Sequence, residues 1–337
     1  MSWHEAHSRG LHCVLIALVG ALLSLPGAVL AAAETCLTAA EMDAANRSAL
    51  ESSAKRYFQF AAAGDTASLR QNSIASLAND FGGIEAAVND NKAKFSGAQS
   101  TVRPPYLLQA PGNAPIARAE FYCGIYNSGD RVGFAIPNLP PGNYGVVIQD
   151  VNGPSGPYSV SMVLQQQGSA WKLAGFYVRP QTLGGHDFQW FWDKARESKA
   201  KGQLHNAYFY YLEARQLMSP VDFMGTPQLD KIYDETQQSV PKDLPVNGPV
   251  NASFGGTTYK LIQVFPVAVN NDFDLVVKYE VPDISDTSKT FQSNMAVIKG
   301  FVAAHPEVRE AFAGVVARAV TPTGQDYGSM LPMKEIK

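Results

Sequence analysis

Ala119-Glu120-Phe121-Tyr122-Cys123-Gly124-Ile125 is the stretch that decides the fold class of this chain. Apolar Ala119, Phe121, Cys123 and Ile125 alternate with Glu120, Tyr122 and Gly124, the period of a strand with one buried face. Asn127-Ser128-Gly129-Asp130 supplies a turn, and Val132, Phe134 and Ile136 resume the alternation. Leu139-Pro140-Pro141-Gly142-Asn143-Tyr144 turns into Val146 and Ile148, and Asn152-Gly153-Pro154-Ser155-Gly156-Pro157 turns once more. Two last strands, Tyr158 to Leu164 and Ala170 to Val178, are joined across Gln165 to Ser169. The expected element is an antiparallel meander.

Upstream, the spacing predicts helices. Thr38-Ala39-Ala40-Glu41 has the form of a capping box. Leu50, Ala54, Tyr57, Phe58 and Ala61 recur at helical spacing, and Gly64 is a natural stop. Leu69, Ile74 and Leu77 predict a second helix, and Gly82-Gly83 separates it from a short third around Ile84 to Val88. Helices followed by strands define an α+β chain, with helices packed on a curved antiparallel sheet over residues 34–182.

Further along, Thr182-Leu183-Gly184-Gly185 reads as a boundary. Residues 183–245 are expected to form a helical hairpin, with a third helix from Pro227 to Gln238. Pro241 to Pro249 reads as a linker, and residues 250–337 as a small α+β domain. There, strands Thr258 to Val269 and Phe273 to Val281 flank the turn Asn270-Asn271-Asp272, and Pro266 marks an edge or a bulge. Phe291, Met295, Ile298 and Val302 make one face of a helix after Thr290. Pro306 is placed to start another helix, in which Val308, Phe312, Val315 and Val316 continue the apolar pattern. The tail from Thr321 is turn-rich, with a short strand at its end.

The N-terminus points to export. Cys13 to Leu25 is apolar, Pro26-Gly27 breaks it, and Val29-Leu30-Ala31 and Ala31-Ala32-Ala33 both fit a small-x-small cleavage site. The run is short for a span of about 20 residues. Residues 1–33 are therefore expected to be a signal peptide of bacterial type, and the mature chain periplasmic or extracellular with no stable membrane span. Ala33-Glu34-Thr35 before Cys36 is not a lipobox. A eukaryotic source would make Asn46-Arg47-Ser48 and Asn251-Ala252-Ser253 glycosylation sequons.

Composition narrows the function. The 337 residues are 46% hydrophobic and 17% charged, which is globular, and the length suggests two or three domains. A net charge of −3 excludes the basic excess of a nucleic-acid binder. Cleavage removes Cys13 and leaves Cys36 and Cys123, which either pair or stay as two buried thiols. An oxidising compartment favours the pair, which would contribute roughly 4 kcal/mol and tie the start of the first helix to a central strand.

The helices carrying Tyr57-Phe58 and Gly64-Asp65, followed by strands that close on Trp171-Lys172-Leu173-Ala174-Gly175-Phe176-Tyr177, resemble the nuclear transport factor two-like (cystatin-like) roll over residues 38–180. That resemblance implies a sheet curled around a long helix, often with a pocket. Asn138-Leu139-Pro140-Pro141-Gly142-Asn143-Tyr144 is also similar to a turn of carboxypeptidase-regulatory-like β-sandwiches, a fold that lacks the preceding helices. Trp192, Ala195, Gly202, Ala207, Tyr211, Ala214 and Pro220 resemble a single tetratricopeptide repeat, with Pro220 one residue late. A solenoid takes about three such copies, so no peptide groove is implied.

Motifs of catalysis are missing. The sequence has no Gly-x-Ser-x-Gly elbow and no dinucleotide or phosphate-loop glycine spacing. His186, His205 and His305 lie in three separate contexts without metal-ligand spacing, so neither metal nor cofactor is expected and no catalytic residue is assigned. The roll resemblance implies a carboxylate and a tyrosine in a pocket. Tyr57, Asp80, Glu120, Tyr122 and Tyr126 are the candidates, and Glu120, Tyr122 and Tyr126 share a strand face that equally suits solvent. Aromatic residues concentrate at Phe188 to Trp192 and Tyr208 to Tyr211. Trp192 and Tyr211 take helix-packing positions, while Trp190, Tyr208 and Tyr210 are candidates for a partner surface. The expected function is a non-enzymatic, exported binding or scaffold protein with a protein partner in the cell envelope. The alternative is a small-molecule pocket protein, or an isomerase- or hydrolase-like enzyme using the roll's cavity, with a ligand the sequence does not name.

Overall fold

The computed structural model of the chain describes residues 33–125 and 128–337. The segment expected to be a signal peptide, apart from Ala33, and the candidate Tyr126 lie outside the described residues. The architecture is α+β.

The described residues begin with strand β1 (Thr35–Leu37), not with the expected capped helix. Thr38 does donate its backbone N and its Oγ1 to Glu41 Oε2, both at 2.8 Å, but this box closes a turn. Asp43 outcompetes it as the cap: its carboxylate accepts from Asn46 N at 2.8 Å, and helix α1 (Ala44–Ala63) starts there. Gly64 ends α1 at φ 70°, a left-handed turn that glycine adopts without strain. Two short helices, α2 (Thr66–Gln71) and α3 (Ala75–Asn79), replace the single helix expected around Leu69 to Leu77. Between them the backbone bonds to a strand instead: Leu173 N donates to Asn72 O, and Ile74 N donates to Leu173 O, each at 2.9 Å. Helix α4 (Gly82–Phe95) is longer than expected, because Gly82-Gly83 open it and Ile84, Val88 and Phe95 anchor it.

Strands β2 (Gln99–Val102), β3 (Tyr106–Ala110), β4 (Ile116–Cys123), β5 (Val132–Leu139), β6 (Gly142–Gly153), β7 (Gly156–Gln167) and β8 (Ala170–Pro180) follow. They do not form one meander. The larger sheet runs β1-β3-β6-β7-β8, with β2 also on β6, while β4 and β5 leave to form a second sheet. The physical reason lies in β6, where Tyr144 to Ile148 are buried without a break. A strand buried on both faces has no polar side, so it needs a cover on each. Val147 and Val151 face α1 and α4. Tyr144 and Val146 face the β4–β5 hairpin. The result is three layers: helices, sheet, sheet.

Cys36 and Cys123 form a disulfide, with Cα atoms 5.1 Å apart. It joins β1 of the larger sheet to β4 of the smaller, so it links two strands rather than a helix and a strand. Cys123 is the last residue of β4, an outer strand of its sheet. Beyond it Gly124 turns at φ 85°, and Ile125 is exposed, not a fourth inward residue.

Strands β9 (Thr182–Leu183) and β10 (His186–Asp187) lead into helices α5 (Phe188–Ala200) and α6 (Leu204–Met218), a hairpin that turns at Gly202 with φ 77°. After α6 the chain makes β11 (Met224–Gly225), the third strand of the smaller sheet, then α7 (Pro227–Gln237) with Pro227 in its first turn. Helix α6 is buried nearly all round. Tyr208 and Phe209 pack into the C-terminal core, while Ala207, Tyr210, Tyr211 and Ala214 pack with α5.

The C-terminal sheet runs β12 (Val250–Phe254), β13 (Thr257–Val269), β14 (Asp272–Glu280), β15 (Gly314–Val320) and β16 (Asp326–Pro332), in that order. Pro266 sits where β13 has outrun β12 and pairs with β14 alone, the edge position expected of it. Helix α8 (Thr287–Ala304) crosses between the parallel strands β14 and β15. Helix α9 (Val308–Ala311) is one turn, so Val315 and Val316 belong to a strand and not to the expected helix. A 3-10 turn, Met333–Glu335, closes the chain. Among the described residues no helix is long and apolar enough to cross a membrane.

Candidate functional site

The space beneath α1, where the roll resemblance implies a pocket, is filled. Tyr57 is fully buried there, and its hydroxyl donates to Trp171 O at 2.6 Å. Gln149 Nε2 donates to Ala54 O at 2.9 Å in the same interface. Burial pushes the Tyr57 hydroxyl above its ordinary range. Tyr57 is thus a core residue, which corrects its reading as a pocket candidate. Asp80 is exposed at the end of α3.

Open space lies on the other side of the larger sheet, around the segment that follows α6. Val221 is buried there, and Phe223 O accepts from Ala135 N at 2.9 Å, which docks β11 onto β5. The Phe223 ring is left half-buried, 5.6 Å from Tyr177 and 6.4 Å from Phe134 between centroids. A cleft opens on each side of this seam, and both share Ala135, Asp222 and Phe223.

The first cleft, about 890 Å³, is mainly apolar and is walled by Ile136, Leu139, Tyr144, Val163, Tyr177 and Phe223. Its polar fringe is ordered. Gln165 Nε2 donates to the Tyr144 hydroxyl at 2.9 Å, and that hydroxyl donates to Pro140 O at 2.8 Å. Asn138 takes φ 50° at the rim, a left-handed conformation asparagine tolerates.

The second cleft, about 620 Å³, is charged. Arg118, Glu120 and Tyr122 point outward from β4 while Ala119, Phe121 and Cys123 point inward, as the alternation predicts. Arg118 Nε donates to Glu120 Oε1 at 2.6 Å, and the Tyr122 hydroxyl donates to Glu120 Oε2 at 3.2 Å. Arg131 lies 3.8 Å from Asp230, and Arg179 pairs with Asp222 at 2.6 Å beside the seam. Hydrogen bonding from Arg118 holds the Glu120 carboxyl below the usual carboxylate range. That is the reverse of the buried, raised acid a roll-fold enzyme would use. Glu120 and Tyr122 therefore line a surface cleft as an ion-paired group, not an enclosed acid-base pair.

The aromatic candidates separate. Tyr208 and Tyr210 are each only 7% exposed and belong to the two cores that α6 joins, which corrects their reading as a partner surface. Trp190 is half-buried and stacks on His186 with centroids 3.9 Å apart. Phe223 and Tyr177 belong to no motif in the sequence that marks them as neighbours; only their packing brings them together. His205, Asp243 and His305 are likewise far apart in the sequence and come together only in the fold. Their side chains meet at the start of α6, with ligand-type atoms all within 4.8 Å of one another.

Comparison with known proteins finds no match to a family model, a curated protein or a solved structure.

Proposed function

We propose that this chain is an exported, non-enzymatic binding protein whose ligand is amphipathic. The ligand's apolar body would lie in the cleft between Tyr144 and Phe223, and its polar head among Arg118, Glu120 and Arg131. The observation that carries this reading is the junction at Phe223, where one apolar and one charged cleft share three residues. Sites of this kind use apolar walls for affinity and a few placed polar groups for orientation. Each arginine near the charged cleft already faces a carboxylate, so the head group expected is zwitterionic or neutral and polar rather than strongly charged. The low carboxyl of Glu120 favours binding over acid-base chemistry. Export rests on the N-terminal sequence pattern, and the disulfide is compatible with it.

The test is a thermal-shift and calorimetric titration with single-chain amphiphiles below their micelle concentrations. A zwitterionic head should raise the melting temperature more than an anionic or cationic head on the same chain. Phe223→Ser and Tyr177→Ser should remove the shift, read against each variant's own unliganded melting temperature. No shift with any head group, or a shift that survives Phe223→Ser, would defeat the proposal. N-terminal sequencing of the protein recovered from the envelope fraction tests the export step: an intact residue 1 would count against it.

A further inference from the structure

His205, Asp243 and His305 come from three separate segments. His205 is in the first turn of α6, Asp243 is in the loop after α7, and His305 caps the C-terminal end of α8. His205 Nε2 lies 3.0 Å from Asp243 Oδ1, and His305 Nδ1 lies 3.7 Å from Asp243 Oδ2. The two imidazole rings stand 4.2 Å apart between centroids. Both histidine side chains are largely buried, at 13% and 14% exposure, while Asp243 is 53% exposed and leaves one side of the cluster reachable from solvent.

A fourth residue orders the group. Glu307 Oε1 lies 2.8 Å from His205 Nδ1, on the ring nitrogen opposite Asp243. Asn206 Nδ2 donates to Glu307 O at 2.6 Å and fixes the backbone that carries this carboxylate. A neutral imidazole has one N–H and one lone pair. With a carboxylate on each nitrogen, a neutral His205 must turn a lone pair toward a carboxylate oxygen. A lone pair and a carboxylate oxygen 3.0 Å apart are compatible when a proton or a metal ion lies between them. Carboxylate, imidazole and metal in line is the usual arrangement of a metal-ligating histidine, because the outer carboxylate fixes the tautomer and raises the ligand's basicity.

We propose that His205, Asp243 and His305 bind one divalent first-row transition-metal ion, with Glu307 as the outer carboxylate. Two imidazole nitrogens and one carboxylate oxygen suit zinc-like ions better than calcium or magnesium, which favour oxygen ligands. The ion would tie α6, the loop after α7 and the end of α8 into one joint. The site is separate from the Phe223 clefts and does not depend on the reading given to them.

The experiment uses the full chain after treatment with a chelator and its removal. Equilibrium dialysis against Zn²⁺ should load one ion per chain, and Co²⁺ should give visible d–d bands that Zn²⁺ displaces. The melting temperature should climb with free Zn²⁺, as binding to the folded state requires. His205→Asn and His305→Asn should each abolish saturable binding, whereas Glu307→Gln should weaken it roughly 10- to 100-fold. His186→Asn should change nothing. Asp243→Asn is the variant least exposed to misfolding, because its side chain is half in solvent, and it too should lose the Co²⁺ bands. Failure of the wild-type chain to bind either ion saturably would overturn the proposal and leave His205 hydrogen-bonded between two carboxylates. So would stoichiometric binding that survives both histidine substitutions.

Discussion

Cys36 and Cys123 bolt the two sheets of the N-terminal half together: the first sits on β1 of the larger sheet, the second ends β4 of the smaller. The bond encloses 87 residues of sequence separation, a long loop whose closure removes much freedom from the unfolded chain. Replacing both cysteines by serine, or reducing the bond, should cost about 4 kcal/mol. Urea unfolding of the oxidised and double-serine proteins checks this. Coincident curves would show that the cross-link does not constrain the unfolded state.

Glu213 and Glu235 should give the stability a pH dependence with two opposed limbs. Burial pushes the Glu213 carboxyl up to about 7. A carboxyl raised in the folded state keeps its proton there while the unfolded chain has lost it, so its stabilising effect is full at low pH and fades as pH rises toward 7. Glu213→Gln should flatten that limb and raise stability at pH 8 by up to about 3 kcal/mol. Glu235 is held near the opposite extreme, at about 2, chiefly by hydrogen bonds from Arg196 at 2.8 and 2.9 Å. Its contribution is present above the ordinary carboxylate range and is lost as pH falls toward 2. Glu235→Gln should therefore remove stability at neutral pH and leave it little changed at pH 2. Denaturant melts across this range read both, and a Glu213→Gln profile parallel to wild type would refute the first.

Gly145 and Gly300 should not tolerate even a methyl group. A Cβ on Gly145 would overlap the Leu50 side chain, and one on Gly300 would overlap Phe254. Gly300 lies inside α8, where alanine ordinarily gains about 1 kcal/mol. The overlap reverses that sign, and Gly300→Ala is expected to destabilise by about 1–3 kcal/mol, as is Gly145→Ala. Thermal melts decide it: a Gly300→Ala protein that melts higher than wild type would show that Phe254 moves aside freely.

Tyr57→Phe should cost about 1–2 kcal/mol with no change in ligand response. The loss follows from leaving the buried Trp171 carbonyl without its 2.6 Å donor. The unchanged response follows because Tyr57 sits in a filled interior, away from the Phe223 clefts. Weakened amphiphile binding in this variant would relocate the site to the space under α1.

Local features were legible in the sequence wherever one residue's chemistry settles the outcome. Gly64 ends a helix, Pro266 marks a stretch of strand paired on one side only, and Glu120 and Tyr122 share an outward face. What escaped was decided by partners distant in the chain. Phe312, Val315 and Val316 fit a helical period, but the neighbouring strand β14 draws Val315 and Val316 into the sheet. The alternation over 119–136 reads as part of one meander, yet β6, buried on both faces from Tyr144 to Ile148, requires a cover on its second face and takes β4 and β5 for it. Tyr208 and Tyr210 look surplus to a single helix face, and only a helix buried on several sides accommodates them. His205, Asp243 and His305 lie on three segments whose meeting depends on how α6, α7 and α8 pack.

That several-sided burial of α6 has a bearing on how the chain comes apart. Tyr208 and Phe209 complete the core of the C-terminal sheet, and Tyr210 and Tyr211 complete that of the helical hairpin. Neither core can melt without baring the other's wall, so the two should unfold in one cooperative step. A fragment cut between α7 and β12 would leave an apolar wound on each piece. The helix between them acts less as a spacer than as a keystone.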